Sequence, residues 1–133
     1  MSETKPTEVG TISWADLTIK DAVTIRDFYS KVVNWPFESV DMGGYSDFCM
    51  LSPDGQPNAG ICHARGPNAN IPAQWLIYIT VADMEESAHG GRLVLFHREQ
   101  HTCWAAGQGR FVVIEDPAGA VAALFESLPK TSS

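Results

Sequence analysis

The sequence repeats itself at an interval of about sixty residues. A strand-like segment that ends in Leu17-x-Ile19-x-Asp21 is matched 62 positions later by Ile79-x-Val81-x-Asp83. Farther along, segment 48–51 with the turn 53–55 is matched 63 to 64 positions later by segment 111–114 with the turn 117–119. Half-domains of about 60 residues bury too little surface to be stable alone. We therefore expect two of them to pair, share one core and leave a cleft beside their pseudo-symmetry axis.

The composition is that of an ordinary globular protein, and it narrows the range of partners. Of 133 residues, 44% are hydrophobic and 19% are charged, which favours a folded domain over a disordered chain. The net charge is −7 and the basic residues do not cluster, so we expect no nucleic-acid partner. No apolar run approaches the roughly 20 residues of a membrane helix. Because the polar residues 1–10 do not resemble a secretory signal, we expect a cytoplasmic protein that binds no membrane.

The cysteines give no sign of a metal or disulfide framework. Cys49, Cys62 and Cys103 are odd in number and lack CxxC spacing. In a reducing compartment they are expected to be free, partly buried thiols.

Local patterns predict two copies of the element order β-α-β-β-β. Residues 12–19 alternate between two faces, as a half-buried strand does. Asp21 is suited to cap a helix over residues 22–33, which Asn34 ends. The remaining strands are predicted at residues 37–41, 45–51, 59–63, 75–81, 92–96, 109–115 and 120–126, with a second, short helix at residues 84–89.

Six motifs occur in an order and spacing typical of one superfamily. They are Leu17-x-Ile19-x-Asp21, Phe28-Tyr29, Asn34-Trp35, Met42-Gly43-Gly44-Tyr45, Gly109-Arg110-Phe111 and Asp116-Pro117-Ala118-Gly119-Ala120-Val121. Together they resemble the vicinal oxygen chelate superfamily of glyoxalases, bleomycin-resistance proteins and extradiol dioxygenases, most closely its glyoxalase-related branch. The resemblance implies an α+β fold in which two tandem βαβββ modules pair into curved mixed sheets around a central cleft, with the helices outside.

The resemblance covers residues 10–127 and sets the expected organisation of the chain. We predict a flexible N-terminal tail over residues 1–9, one domain over residues 10–127 and a C-terminal tail over residues 128–133. Within the domain, module one covers residues 10–66 and module two covers residues 73–127. The second helix is about five residues shorter than the resemblance implies, which leaves part of an outer sheet face without cover. The short helix and the resemblance together predict a homodimer.

The resemblance also implies a divalent metal, held by a His on the first strand and a Glu on the last strand of a module. The repeat aligns Trp14 and Leu76 with the His positions and Gly60 and Ala123 with the Glu positions. None of these side chains can bind a metal. We therefore expect no metal at the customary site, and no other cofactor.

An alternative metal site lies in the segment that follows the second helix. His97, Glu99 and His101 share one face if the strand continues, and this set of ligands suits zinc or iron. Alternate residues on a strand lie about 7 Å apart, too far for one ligand shell without a bend. A solvated strand face is the simpler interpretation.

Strand alternation assigns a largely apolar and aromatic set of side chains to the cleft, the usual composition of a small-molecule site. Asp16 is the carboxylate on these strands, and desolvation beside Trp14 and Tyr78 would raise its pKa and suit it to acid/base catalysis. The simpler interpretation is that Asp16 accepts hydrogen bonds from Tyr78 or a backbone amide. The predicted ligand-binding residues are Trp14, Asp16, Phe48, Met50, Cys62, Leu76, Tyr78 and Phe125.

Two functions remain open at this point. The first is the binding of a small hydrophobic or aromatic molecule in a metal-free cleft, which we rank first because the customary ligands are missing. The alternative is a lyase, isomerase or dioxygenase-type enzyme of the superfamily. It would be either metal-dependent through the non-customary site or metal-free with Asp16 as the acid/base. A third possibility is an interaction module whose cleft is filled by its own side chains.

Overall fold

The computed structural model describes residues 8–66, 69–88, 92–97 and 109–127 of the chain. Within these ranges the class is α+β, as predicted, and no helix is long and apolar enough to cross a membrane. The helices are α1 (Ala22–Val33) and α2 (Met84–Ala88), and the strands are β1 (Ile12–Ile19), β2 (Phe37–Asp41), β3 (Ser46–Leu51), β4 (Pro57–His63), β5 (Trp75–Thr80), β6 (Arg92–His97), β7 (Gly109–Glu115) and β8 (Val121–Ser127).

The predicted elements differ from the observed ones only at their ends. Strand β3 begins at Ser46 rather than at residue 45, and β4 begins two residues early, at Pro57. A proline is tolerated at the first position of a strand because its missing N–H is not needed there. The second helix is confirmed as short, with five residues against twelve in α1.

The chain divides into two compact units, and the division falls inside two strands. The N-terminal unit contains Trp14–Leu76, and the C-terminal unit contains the described residues 8–13, 77–88, 92–97 and 109–127. Strand β1 therefore begins in the C-terminal unit, and β5 begins in the N-terminal unit. Strands β2-β3-β4-β1 are neighbours in that order in the N-terminal unit, and β5-β8-β7-β6 in the C-terminal unit.

Each unit has a mixed sheet in which one pair of strands is parallel. In the N-terminal unit β1 runs parallel to β4, while the β2/β3 and β3/β4 pairs are antiparallel. In the C-terminal unit β5 runs parallel to β8, while the β6/β7 and β7/β8 pairs are antiparallel. The parallel pairs matter for function because they bring the predicted site residues of non-adjacent segments side by side.

Helix α1 covers one face of the N-terminal sheet and buries an aromatic cluster there. Its residues Ala22, Ile25 and Tyr29 follow helical spacing and pack with the side chains of β3 and β4. Trp75 extends the cluster from the start of β5, since its indole Nε1 donates to the Tyr29 hydroxyl at 3.0 Å. Trp35 lies against both rings, with centroids 6.0 and 6.1 Å away.

Helix α2 covers a smaller core in the C-terminal unit. Met84 is fully buried and packs with Val112 and Leu124, and the cluster is extended by Ile79, Val81 and Ile114. The backbone N–H of Met84 donates to the carboxylate of Glu126 at 2.9 Å, which satisfies one of the free amides at the start of this short helix.

The ends of α1 are fixed by the residues that the sequence indicated. Asp21 accepts hydrogen bonds from the backbone N–H and the hydroxyl of Thr24, at 3.2 and 2.8 Å. At the other end, Asn34 adopts a left-handed conformation with φ of 62°, which few residue types other than glycine tolerate well. The bounds of α1 agree with the prediction for this reason.

We expect the Asp21 cap to make the stability of the protein depend on acidity. The Thr24 hydroxyl, followed by its backbone amide, lowers the pKa of Asp21. The stabilisation is therefore present above the unfolded-state pKa and is lost as pH falls through the lower, folded-state pKa. Asp21→Ala should lower the melting temperature at neutral pH, whereas Asp21→Asn should retain most of the cap and lose the acid dependence. A melting temperature for Asp21→Ala equal to that of the wild type would contradict this role.

Candidate functional site

The parallel pairing of β1 and β4 places a carboxylate opposite a glycine. Asp16 of β1 is in register with Gly60 of β4, and Asp16 is buried. A Cβ atom added to Gly60 would collide with Oδ1 of Asp16 and would lie 3.2 Å from its Cγ. The carboxylate therefore occupies the space that any side chain at residue 60 would need. A glycine is required here for close approach, not for an unusual backbone angle.

Trp14 holds the Asp16 carboxylate from the same strand. Residues two apart on a strand share a face, and the Trp14 indole Nε1 donates to Oδ1 of Asp16 at 2.6 Å, with both side chains buried. Asp16 thus accepts a buried side-chain hydrogen bond, as the simpler interpretation required. Trp14 is a donor that the sequence did not predict, and the hydrogen bond from Tyr78 or a backbone amide stays a prediction.

Cys62 is a free thiol near this carboxylate. Thr18 and Cys62 are in register two residues beyond the Asp16/Gly60 pair, so all four residues share one face of the sheet. Burial of the thiol, then the negative charges of Asp16 and Asp47, raise the pKa of Cys62 well above its ordinary value. The thiol is therefore protonated at neutral pH and is a poor nucleophile.

The prediction that all three cysteines are free is wrong for Cys49. This residue of β3 is disulfide-bonded. Cys103 lies outside the described residues. An odd number of cysteines leaves room for one bond. The thiols therefore no longer support a reducing compartment, and the cytoplasmic location stays a prediction.

Two predicted ligand-binding residues lie on the opposite face of the N-terminal sheet. Phe48 and Met50 are in register with Ile61 and Ala59 of β4, whereas Cys49 is in register with Gly60. Phe48 and Met50 pack in the core beside α1, together with Ala22 and Ile61. The prediction that Phe48 and Met50 share a face with Asp16 is therefore wrong.

In the C-terminal unit, Tyr78 and Phe125 lie on the face away from α2. Tyr78 is in register with Ala123 and Thr80 with Phe125, while Ile79 and Leu124 between them face the α2 core. Tyr78 and Phe125 are both buried, and the Tyr78 ring lies 5.6 Å from that of Phe111.

Ser13 ties this face to the start of β1. Its hydroxyl donates to the Tyr78 carbonyl at 3.2 Å and accepts from the Thr80 hydroxyl at 3.0 Å. The repeat aligns Tyr78 with Asp16 and Ala123 with Gly60. Each parallel pair thus sets a larger side chain opposite a residue with little or no side chain.

The alignment of Trp14, Gly60, Leu76 and Ala123 with the customary metal positions stays a prediction. Leu76 is buried at the end of the N-terminal unit. Among the residues that the structure describes, no three His, Cys, Asp or Glu side chains are grouped to hold a metal. Of the alternative ligands, His97 lies at the end of β6, and Glu99 and His101 lie outside the described residues.

Comparisons with known proteins support the resemblance to the vicinal oxygen chelate superfamily. No family model matches the chain. A Mycobacterium bovis protein named as a glyoxylase, CFP32, is 25% identical over 92% of the chain and 46% of its own length. The anthracycline biosynthesis protein DnrV of Streptomyces peucetius is 27% identical over 87% of the chain and 46% of its own length. The chain thus spans about half the length of the curated relatives it matches.

A solved structure shows the same fold. A glyoxalase/bleomycin resistance protein/dioxygenase superfamily member from Vibrio splendidus matches with a TM-score of 0.53 and 11% identity, covering 85% of this chain and 96% of that one. At this identity the likeness establishes the fold and carries no information on activity.

We expect Gly60→Ala to be destabilising through its contact with Asp16. Over-packing of a buried site typically costs about 1–3 kcal/mol of unfolding free energy. In the Asp16→Ala background the added methyl group meets no carboxylate, so the cost of Gly60→Ala should be much smaller there. Urea unfolding of the wild type, both single variants and the double variant measures this coupling. Additive effects would contradict the close approach.

We expect the Cys62 thiol to react slowly with iodoacetamide and to respond to Asp16. Because the negative charge of Asp16 helps to raise the pKa of Cys62, Asp16→Asn should lower that pKa and move the pH profile of alkylation to lower pH. Mass spectrometry of the Cys62 peptide measures the rate. Asp54→Asn, in an exposed turn, is the matched control. An identical profile in Asp16→Asn would contradict the electrostatic coupling, and a changed plateau rate alone would indicate altered exposure.

Proposed function

We propose that this member of the vicinal oxygen chelate superfamily binds a small hydrophobic or aromatic molecule without a metal, at the sheet face that carries Trp14 and Asp16. The observation that carries the proposal is the buried Trp14–Asp16 hydrogen bond over Gly60. This hydrogen bond joins the flat indole ring of Trp14 to the Asp16 carboxylate, a hydrogen-bond acceptor. Small-molecule sites usually combine apolar surface with a few placed polar groups.

The Trp14 indole is suited to stacking because its orientation is fixed. Its N–H is held by Asp16, so the ring keeps one plane, and little conformational entropy is lost when a planar ligand stacks on it. Since both residues are buried, we expect a ligand to reach them through a local opening.

The other predicted lining residues are proposed for each unit by itself. Cys62 and Leu76 extend the apolar surface in the N-terminal unit, and Tyr78 and Phe125 form an aromatic surface in the C-terminal unit. Phe48 and Met50 are left out because they pack beside α1. We further propose that two βαβββ modules pair to form a single domain over residues 10–127. We also propose that the protein is a homodimer and that it is cytoplasmic.

The names of the relatives agree with either proposed class of function. DnrV is named for anthracycline biosynthesis, and anthracyclines are flat polycyclic aromatic compounds. CFP32 is named as a glyoxylase, which favours an enzyme. Both are about twice as long as this chain, so neither transfers its activity here.

The alternative is an enzyme of the lyase, isomerase or dioxygenase type. In its metal-free form, Asp16 would exchange a proton with the substrate, for which Trp14 would position the carboxylate. In its metal-dependent form, His97, Glu99 and His101 would supply the ligands. Elemental analysis of tag-free protein separates the two forms. Stoichiometric metal that is lost in His101→Ala supports the metal-dependent enzyme, and no metal in either protein contradicts it.

Binding of a planar aromatic compound should raise the melting temperature and quench tryptophan fluorescence. A panel of naphthoquinones and anthraquinones is the probe. A ligand at a hundred times its dissociation constant adds about 2.7 kcal/mol of unfolding free energy. Trp14→Phe should weaken binding about fivefold or more, because it loses the hydrogen bond that fixes the ring.

Trp75→Phe is the matched control. It also removes one indole hydrogen bond, to the Tyr29 hydroxyl, but on the α1 side of the sheet. Equal loss of binding in both variants would indicate general destabilisation and would contradict a site at Trp14. A panel without a single stabilising compound would also count against the proposal.

A further inference from the structure

Aromatic rings and basic groups contact one another around the end of β4. The His63 ring lies between Phe48 and Tyr45, with centroids 6.0 and 5.7 Å away. The Arg65 guanidinium stacks on Tyr45, with Cζ 3.8 Å from the ring centroid. Arg26 lies over Phe48 at 4.7 Å. In a chain of net charge −7, this concentration of basic groups on rings requires an explanation.

Asp47 fixes the orientation of the His63 ring. One carboxylate oxygen of this buried residue accepts the backbone N–H of His63 at 2.8 Å and lies 3.3 Å from the ring atom Nδ1. Because a carboxylate only accepts, this contact requires the hydrogen to be on Nδ1. The other ring nitrogen, Nε2, then carries the lone pair of the neutral ring. It has no hydrogen-bond partner among the described residues.

Arg65 is held in place without an acidic partner. Its stacking on Tyr45 orients the guanidinium plane, and within the described part of the chain no carboxylate pairs with it. Arg26, by contrast, pairs with Asp27 at 2.8 Å. Asp21 is the other carboxylate near His63, and both of its oxygens already accept hydrogen bonds from Thr24. A planar guanidinium with free N–H groups binds oxyanions through two parallel hydrogen bonds.

We propose that His63 and Arg65 form an oxyanion site for a small molecule that also carries a hydroxyl group, such as a phosphomonoester or a hydroxycarboxylate. Arg65 binds the oxyanion, and Nε2 of His63 accepts a hydrogen bond from the hydroxyl group of the ligand. Tyr45 contacts both side chains, and Asp47 is a positioning residue for the His63 ring. His63 lies on the helix side of the sheet, next in alternation to the core residue Ile61. Asp47, which orients it, also acts on Cys62 of the Trp14–Asp16 face, so the variants that test this site leave Asp47 unchanged.

Titration of the full-length protein with inorganic phosphate tests the site, with sulfate as the matched anion that carries no hydroxyl. Phosphate should shift the His63 ring resonances in NMR spectra. Sulfate should bind about fivefold more weakly, since one hydrogen bond contributes about 1 kcal/mol. Lactate carries one hydroxyl group that acetate lacks. Lactate should therefore bind more tightly than acetate, which would extend the site to carboxylates.

Variants separate this site from general effects of charge. Arg65→Gln should abolish the phosphate-induced shift of the His63 ring. In His63→Phe, which keeps an aromatic ring, the Arg65 Nε–H resonance reports binding instead, and it should show no preference for phosphate over sulfate. Lys31→Gln, on the exposed last turn of α1, removes one positive charge elsewhere and should change neither. Equal affinity for phosphate and sulfate, equal loss in Lys31→Gln, or no shift with any anion would overturn the proposal. Binding of aromatic compounds at Trp14 is measured separately and is unaffected by these variants.

Discussion

The close approach of Asp16 to Gly60 is the constraint on which the N-terminal unit depends. It is possible only because β1 and β4 run parallel and in register, so that one strand supplies a side chain and the other supplies the space for it. The same register aligns Thr18 with Cys62 and Ile19 with His63. A shift of one residue would turn every side chain of β1 to the other face and would place the carboxylate in the aromatic core. The buried carboxylate and the helix-side core thus specify the same register.

The two faces of this sheet have different chemistry because of that register. On one face, Trp14 and Asp16 form a hydrogen-bonded pair beside a protonated thiol. On the other face, α1 covers apolar rings, and Arg26 of this helix lies over the ring of Phe48. A buried carboxylate needs a donor to offset its desolvation, and the Trp14 indole supplies one. This requirement explains why a tryptophan is placed two residues before an aspartate on a strand that is otherwise small or apolar.

The sequence predicted the bounds of the helices and strands better than it predicted on which face of the sheet each side chain lies. The bounds of α1 could be predicted because Asp21 and Asn34 are capping residues whose effects are local. The alternation of β1 likewise assigned Ile19 to the helix side and Asp16 to the opposite side correctly. Strand β3 carries no such signal, since all of its residues from Asp47 to Leu51 are buried. A strand that is buried on both faces does not show alternation, so the side of Phe48 depends on its pairing with Ile61, which the sequence does not encode locally. The hydrogen bond from Trp14 to Asp16 was not predicted, because it depends on the side-chain rotamers of both residues.

The start of β5 shows that the repeat in the sequence and the packing in the molecule have different boundaries. In the sequence repeat, module one ends at residue 66 and module two begins at residue 73. Trp75 is the first residue of β5 and belongs to module two. It nevertheless completes the aromatic cluster of α1 through Tyr29 and Trp35. A single module cut at the linker would lack this ring and would expose the inner side of its own helix. If the chain arose by duplication, the ancestral half would have obtained this ring from a second copy of itself. Fusion of the two copies would then have turned a contact between molecules into a contact within one chain.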